Sequence, residues 1–228
     1  MKPSDDILNS WYHNAANWIA TIEHHEIESR RLVTNAAIVK AVIGTGTSKI
    51  LDVGCGEGWL TRALRQQGLN AYGLDAIHQL VTAAIEKDGP FYAVASYQDL
   101  AVGNWSCPEM FEAVVINFAL IDEQDTEAVL QALPAYLIPG GYVVIQTLHP
   151  HLRIAAGDYV TGWKEGSWDG MKRTFTHAYP WYFRTLEDWM HLLQKRYSLV
   201  ALQEPLHPET KQPLSLIFIL QTKESILR

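Results

Sequence analysis

The chain has 228 residues, 48% of them apolar and 19% charged, with a net charge of −7. That balance suits one sizeable α/β domain with a full core, and it lacks the basic face that a broad nucleic-acid footprint needs. The apolar runs fall short of a membrane span, the opening MKPSDDILNS carries no apolar signal segment, and Cys55 and Cys107 give neither a disulfide framework nor a metal spacing, so a cytoplasmic protein without a metal is expected.

Residues 1–47 read as a mainly helical cap, with Leu32, Ala36 or Ala37, Val39 and Ile43 at helical spacing. Strand and helix then alternate: strand 49–53, helix 59–67 closed by Gly68, strand 71–74, helix 78–87 and strand 91–95. Strand 113–117, helix 126–136, a turn at Pro139-Gly140-Gly141 and strand 142–148 follow. The chain closes with helix 186–195, to which Thr185 and Asp188 have the spacing of an N-terminal cap, and strands 199–202 and 214–221 flanking a turn at 205–213. Such alternation predicts a mainly parallel sheet with helices on both faces, and ligands at the carboxyl ends of its strands.

Residues 149–183 break the rhythm. They are too long for an ordinary connection and hold eight of the chain's twenty-four aromatic residues together with His149, His151 and His177. They form either a satellite core or an aromatic lid beside the ligand.

The stretch Leu51–Leu60, LDVGCGEGWL, is a glycine turn between a strand and a helix. It has no Lys for a P-loop, and its third glycine comes one residue early for a dinucleotide loop. Asp52 and Glu57 flank it with negative charge, so it suits a ligand with a cationic or zwitterionic group and no phosphate. S-adenosyl-L-methionine has that character.

Residues 50–58 resemble the first motif of the class I S-adenosylmethionine-dependent methyltransferases, and other stations of that family follow in order. They are YGLDA ending in Asp75 and Ala76, ASYQDL (95–100), VVINFALI (114–121) and LIPGGYVVIQTLHP (137–150). WYHNAANW and IESRRLVTNAAI also look like the N-terminal segment of a bacterial subgroup without an assigned substrate. The resemblance covers roughly residues 30–222. It implies a Rossmann-like, doubly wound, seven-stranded sheet, mostly parallel with a C-terminal antiparallel hairpin, in a single domain spanning 1–228. It also implies an enzyme that moves a methyl group to a small-molecule acceptor by in-line displacement. A tRNA or protein methyltransferase of the same fold, a nicotinamide-dependent oxidoreductase and a non-catalytic binding module are the alternatives.

For the cofactor, the resemblance implies the loop Gly54, Cys55 and Gly56, with Asp52 organising it, and Asp75 accepting both ribose hydroxyls. Ala76, with Ile77, would pack on the adenine face. Ser96 and Tyr97 occupy the adenine edge, where many relatives carry an acid; here the nearest acid is Asp99. Asn117 and Phe118 would line the sulfonium side. Arg30 or Arg31 would meet the methionyl carboxylate; adjacent helical residues diverge, and Arg30 is favoured. Glu57 is either a ligand contact or an acid at the helix start. Trp11, Tyr12 and Trp18 form either an aromatic wall against the sulfonium or core packing. His149 is the first candidate for a general base, with His177, Tyr12 and Tyr182 behind it.

Overall fold

The computed structural model describes residues 3–107 and 109–223. Five strands run parallel: β1 (Lys49–Val53), β2 (Asn70–Asp75), β3 (Tyr92–Val94), β4 (Phe111–Asn117) and β5 (Leu137–Thr147). Two short strands, β6 (Gly162–Lys164) and β7 (Trp181–Phe183), pair apart from the main sheet. Strands β8 (Tyr197–Gln203) and β9 (Leu216–Thr222) form the closing hairpin, with β9 antiparallel to β5. The main sheet has seven strands in the order β3-β2-β1-β4-β5-β9-β8. Its direction of growth reverses between β1 and β4, where a ligand crevice is expected.

Side-chain alternation divides the strands between two cores. On one face Leu51, Val53, Val114, Ile116, Val143 and Ile145 pack against helices α5 (Tyr97–Val102), α6 (Gln124–Ala132) and α8 (Leu186–Gln194). On the other, Ile50, Ala71, Val115, Val144 and Ile217 pack against α2 (Asn35–Ile43) and α3 (Trp59–Gln66). Both faces are covered, so these strands are buried on two sides and read as continuous apolar runs.

The helical cap consists of α1 (Pro3–Glu23), a π-helical turn (Arg30–Thr34) and α2; its first two residues lie outside the described residues. Helix α1 docks Ala15 against Ile77 and Leu80, the latter on α4 (His78–Asp88). Helix α3 ends as expected, with Gly68 at φ +84° and its N–H on the Arg65 carbonyl at 2.9 Å.

Four expectations need correction. The segment after β3, to which the sequence assigned no element, is helix α5, started by a reciprocal cap between Ser96 and Asp99. The turn at 139–141 is absorbed into β5, which bulges there: Gly140 sits at φ +74°, and the register shifts between Phe111 and Ala113. Helix 126–136 starts earlier, at Gln124, and its last turn, Leu133–Tyr136, is a 3-10 turn; Pro134 has no N–H for the longer α-helical bond. Finally, residues 149–183 contain helix α7 (His151–Ala155) besides β6 and β7. The stretch between β6 and β7, which we term the strap, crosses α1. Asn14 pairs in both directions with the backbone of Thr176, and Asn17 donates to the Thr174 carbonyl at 2.8 Å.

Candidate active site

The glycine turn leaves β1 under tight steric control. A Cβ on Gly54 would lie 2.6 Å from the Ala119 Cβ, and one on Gly58 would lie 2.7 Å from the Tyr92 ring. Gly54, Gly56 and Gly58 hold φ of +77°, +58° and +83°, which glycine adopts without strain. The Gly54 and Cys55 N–H groups both donate to the Leu74 carbonyl, at 2.7 and 2.9 Å. The loop is thereby stitched to the end of β2.

At that end stands Asp75. Its Oδ2 accepts from the Gly56 N–H at 2.8 Å and its Oδ1 from the Ile77 N–H at 2.9 Å. Each oxygen keeps a lone pair, and the carboxylate is fixed in orientation. Asp52, on β1, is buried; Oδ2 accepts from Thr61 at 2.8 Å, while Oδ1 has no partner. Burial, opposed by the Thr61 hydrogen bond and reinforced by Asp75, pushes the Asp52 carboxyl up to about 7. Burial also raises Asp75. Two crowded carboxyls without a cationic protein partner favour hydrogen-bond donors or a cation between them.

Glu57 does not belong to that pair. It is buried behind the loop against Lys87 (2.6 Å) and Arg62 (2.7 Å). Its charge is neutralised there, so the argument against a phosphate ligand rests on Asp52 and Asp75. Cys55 is likewise a packing group: its Sγ lies 2.8 Å from where a Gly73 Cβ would stand, and burial pushes its thiol well up.

Opposite the carboxylates is Arg30, in the π-helical turn. Its guanidinium stacks 4.8 Å over Trp59 and 5.6 Å from Trp18, and its Nε donates to Asn35 at 3.3 Å. Its Nη2 is buried without a partner, and burial lowers its pKa to about 10. Arg31 points to solvent, 3.8 Å from Glu28. Of the two arginines, Arg30 is the one that lines the cavity. The role of Trp59 was not legible; its place directly after the third glycine was the only signal.

The other expected positions divide. Ala76, Ser96, Tyr97, Asn117 and Phe118 line the same cavity as Asp52 and Asp75. The Ser96 hydroxyl donates to Asp99 in the α5 cap (2.6 Å), and Asp99 is not among the residues that line the cavity. Tyr97 donates to the Ala119 carbonyl at 3.0 Å and pins the loop after β4 against Gly54. Asn117 keeps a buried Oδ1 without a partner. Phe118 holds φ +54°, a left-handed backbone costing a non-glycine residue roughly 1–3 kcal/mol.

Of the four base candidates, Tyr182 lines the cavity and two lie elsewhere. Tyr12 is 55% exposed, because α1 turns Trp11 and Trp18 inward and Tyr12 away. His177 is exposed at φ +54° and stacks on His13 at 4.0 Å. His149 does line the cavity, but both ring nitrogens are engaged. Nδ1 accepts from the His151 N–H at 3.1 Å, so Nε2 carries the proton given to Glu204 at 2.8 Å.

The whole cavity measures about 570 Å³ and opens along the carboxyl ends of β1, β2, β4 and β5. Its lining also includes the aromatic residues Trp11, Trp168, Tyr179, Trp181 and Tyr182. Asp122 and Arg184, which sequence patterns did not mark, line it as well. Among the described residues no cluster of His, Cys, Asp or Glu could hold a metal, and no helix is long and apolar enough to cross a membrane.

The ubiquinone biosynthesis O-methyltransferase of Idiomarina loihiensis is 30% identical over 122 residues, which are 50% of each chain. The chain therefore spans about half the length of the curated relatives it matches. In solved structures the fold recurs in an S-adenosylmethionine-dependent methyltransferase from Clostridium acetobutylicum (13% identity, 92% and 98% of the two chains, TM-score 0.64). It recurs again in one from Mesorhizobium loti (20% identity, 82% and 96%, TM-score 0.60). The family model described as a methyltransferase domain matches residues 27–196, from just before Arg30, through the glycine turn and every strand end on the cavity, to the end of α8. The chain belongs to that methyltransferase family.

Proposed function

We propose that the chain is an S-adenosyl-L-methionine-dependent methyltransferase acting on a small-molecule acceptor. The observation that carries this reading is one cavity whose lining joins aromatic rings with buried, unpartnered polar atoms, Arg30 Nη2, Asp52 Oδ1 and Asn117 Oδ1 among them. Their chemistry fits the two ends of an amino acid: a cationic donor for a carboxylate, and oxygen acceptors for an ammonium. Asp75, pre-oriented by two backbone N–H groups, has lone pairs left for the two ribose hydroxyls. Ala76, Ile77 and Leu80 offer an apolar face for the base, with Ser96 and Tyr97 at its edge. Gly54, Cys55 and Gly56 bring backbone close to the ligand, and Phe118 closes the sulfonium side.

The cofactor, when bound, supplies a methyl group already activated on a sulfonium. The chain's own task is alignment and the exclusion of water. Helix α1 and the strap, joined through Asn14 and Thr176, form the outer wall that does so. The half-length match to quinone-pathway O-methyltransferases supports a small-molecule acceptor.

Calorimetry with S-adenosylhomocysteine and with NAD tests the reading. S-adenosylhomocysteine should bind and NAD should not; tight NAD binding without S-adenosylhomocysteine binding sinks it.

A further inference from the structure

Segment 117–123 joins β4 to α6 and is held at both ends. Asn117 to Asp122 are six consecutive residues that all line the cavity. At the start of the segment the Phe118 N–H donates to the Gln146 carbonyl at 2.7 Å, while its φ stands at +54°. The Ala119 carbonyl holds Tyr97 at 3.0 Å, and the Ala119 Cβ lies 2.6 Å from where a Gly54 Cβ would stand. This end packs on the glycine turn.

At the other end, three successive carbonyls accept from one short stretch of chain. The Tyr182 N–H, on β7, donates to Ile121 at 2.9 Å. Arg184, the first residue after β7, donates through Nη1 to Asp122 and through Nη2 to Glu123, both at 3.0 Å. Its side chain is 1% exposed, with Glu127 on α6 at 3.6 Å and Asp188 on α8 at 3.5 Å. The guanidinium lies 4.6 Å from the centre of the Tyr182 ring and 5.3 Å from that of Trp189. The Asp122 carboxylate accepts in turn from Ser4 Oγ, on α1, at 2.8 Å and from the Asp125 N–H at 2.7 Å. One guanidinium thus ties the segment to the end of β7, and Asp122 ties it to α1.

A buried ion among acids is a poor source of stability, because apolar side chains of similar volume often fold as well or better. What a planar fork supplies is geometry: two donors at fixed spacing fit one arrangement of two successive carbonyls. The segment needs such a constraint. Its backbone at Phe118 is in a conformation that is costly for a non-glycine residue and persists only where the surroundings over-determine it.

We infer that Arg184 is a positioning residue for methyl transfer: by clamping the Asp122 and Glu123 carbonyls it holds Asn117 and Phe118 in place on the sulfonium side of the donor. The inference rests on the methyltransferase reading for what occupies the cavity. Arg184 acts through the backbone of the segment, so its loss changes the surroundings of the methyl group more than the affinity for the donor.

The test uses the full chain and S-adenosyl-L-methionine isotope-labelled at the methyl carbon, whose bound NMR resonance reports on the reacting atom. Arg184→Met should displace that resonance while the dissociation constant stays within about fivefold. Amides of 118–123 should exchange with solvent about tenfold faster, and those of β1 should not change. Arg184→Lys keeps the charge but not the fork, and should displace the resonance in the same way. The inference is overturned if the resonance in Arg184→Met coincides with that of the unmodified chain, or if Arg184→Lys restores it. It is equally overturned if donor affinity falls further than stated, or if exchange rises as much in β1 as in the segment. Should Arg184→Met not fold, Arg184→Lys carries the same readouts; if neither folds, Arg184 is a stability residue and the inference falls. Failure of the donor to bind the unmodified chain is a separate result: it removes the methyltransferase reading itself.

Discussion

Replacing Gly54 by Ala adds one methyl group at a tightly packed point of the glycine turn. Two costs follow. The residue holds φ +77°, which costs an L-residue about 1–2 kcal/mol. The new Cβ would also lie 2.6 Å from the Ala119 Cβ and 3.1 Å from the Tyr97 hydroxyl. Neither neighbour is a flexible tip: Ala119 is backbone-bound, and its carbonyl holds Tyr97 at 3.0 Å. Overpacking of this kind costs about 1–3 kcal/mol. Together the penalty is about 3 kcal/mol, or a fall in melting temperature of about 6–12 °C for a chain this long. Thermal and denaturant unfolding of Gly54→Ala, Ala119→Gly and the double variant separate the two costs. Ala119→Gly should recover the steric share of the Gly54→Ala loss and leave the backbone share. A Gly54→Ala cost under about 0.5 kcal/mol, or no coupling between the two sites, refutes the reasoning.

Three further outcomes are expected. Asp75→Ala weakens S-adenosylhomocysteine binding by about 1–3 kcal/mol, and an unchanged dissociation constant in calorimetry removes the ribose role. Arg30→Met weakens the same ligand, while Arg31→Met, altering an exposed side chain, leaves it within about twofold; equal effects refute the assignment of Arg30. Asp52 gives a pH signature. Its carboxyl rises from 3.8 to about 7 on folding, so between those values the folded chain holds a proton that the unfolded chain releases. This group's contribution therefore makes stability fall as pH rises from about 4 to about 7. Asp52→Asn should flatten that slope in denaturant titrations, and an identical slope in both proteins removes the buried-carboxyl reading.

The sheet was legible because central strands such as β1 and β4 are buried on both faces, leaving apolar runs between glycine and polar punctuation. The cofactor side was legible because glycines and acids at strand ends are chemically unusual. Helix α5 was missed although Ser96 and Asp99 carry the cap signal, because the segment is short and the resemblance drew the reading toward ligand contact. The surroundings of the base candidates were not legible for another reason. The direction in which Tyr12 points depends on which face of α1 docks against Ile77 and Leu80, and the engagement of His149 depends on Glu204, far along the chain. The stacking of Arg30 over Trp59 depends on a π-helical turn that periodicity does not announce.

The seam between Asn14 and Thr176 joins residues 162 positions apart. Contacts at such separation close large loops and form late in folding. During synthesis, α1 emerges before the sheet, yet its partner backbone appears only after β1 to β5 have been made. A growing chain with these five strands already holds the glycine turn, Asp52 and Asp75, but lacks the cavity's outer wall. Truncation just before residue 174 removes both Asn14–Thr176 hydrogen bonds and the Asn17–Thr174 bond, and leaves α1 anchored by Ala15 against α4 with one side unmatched.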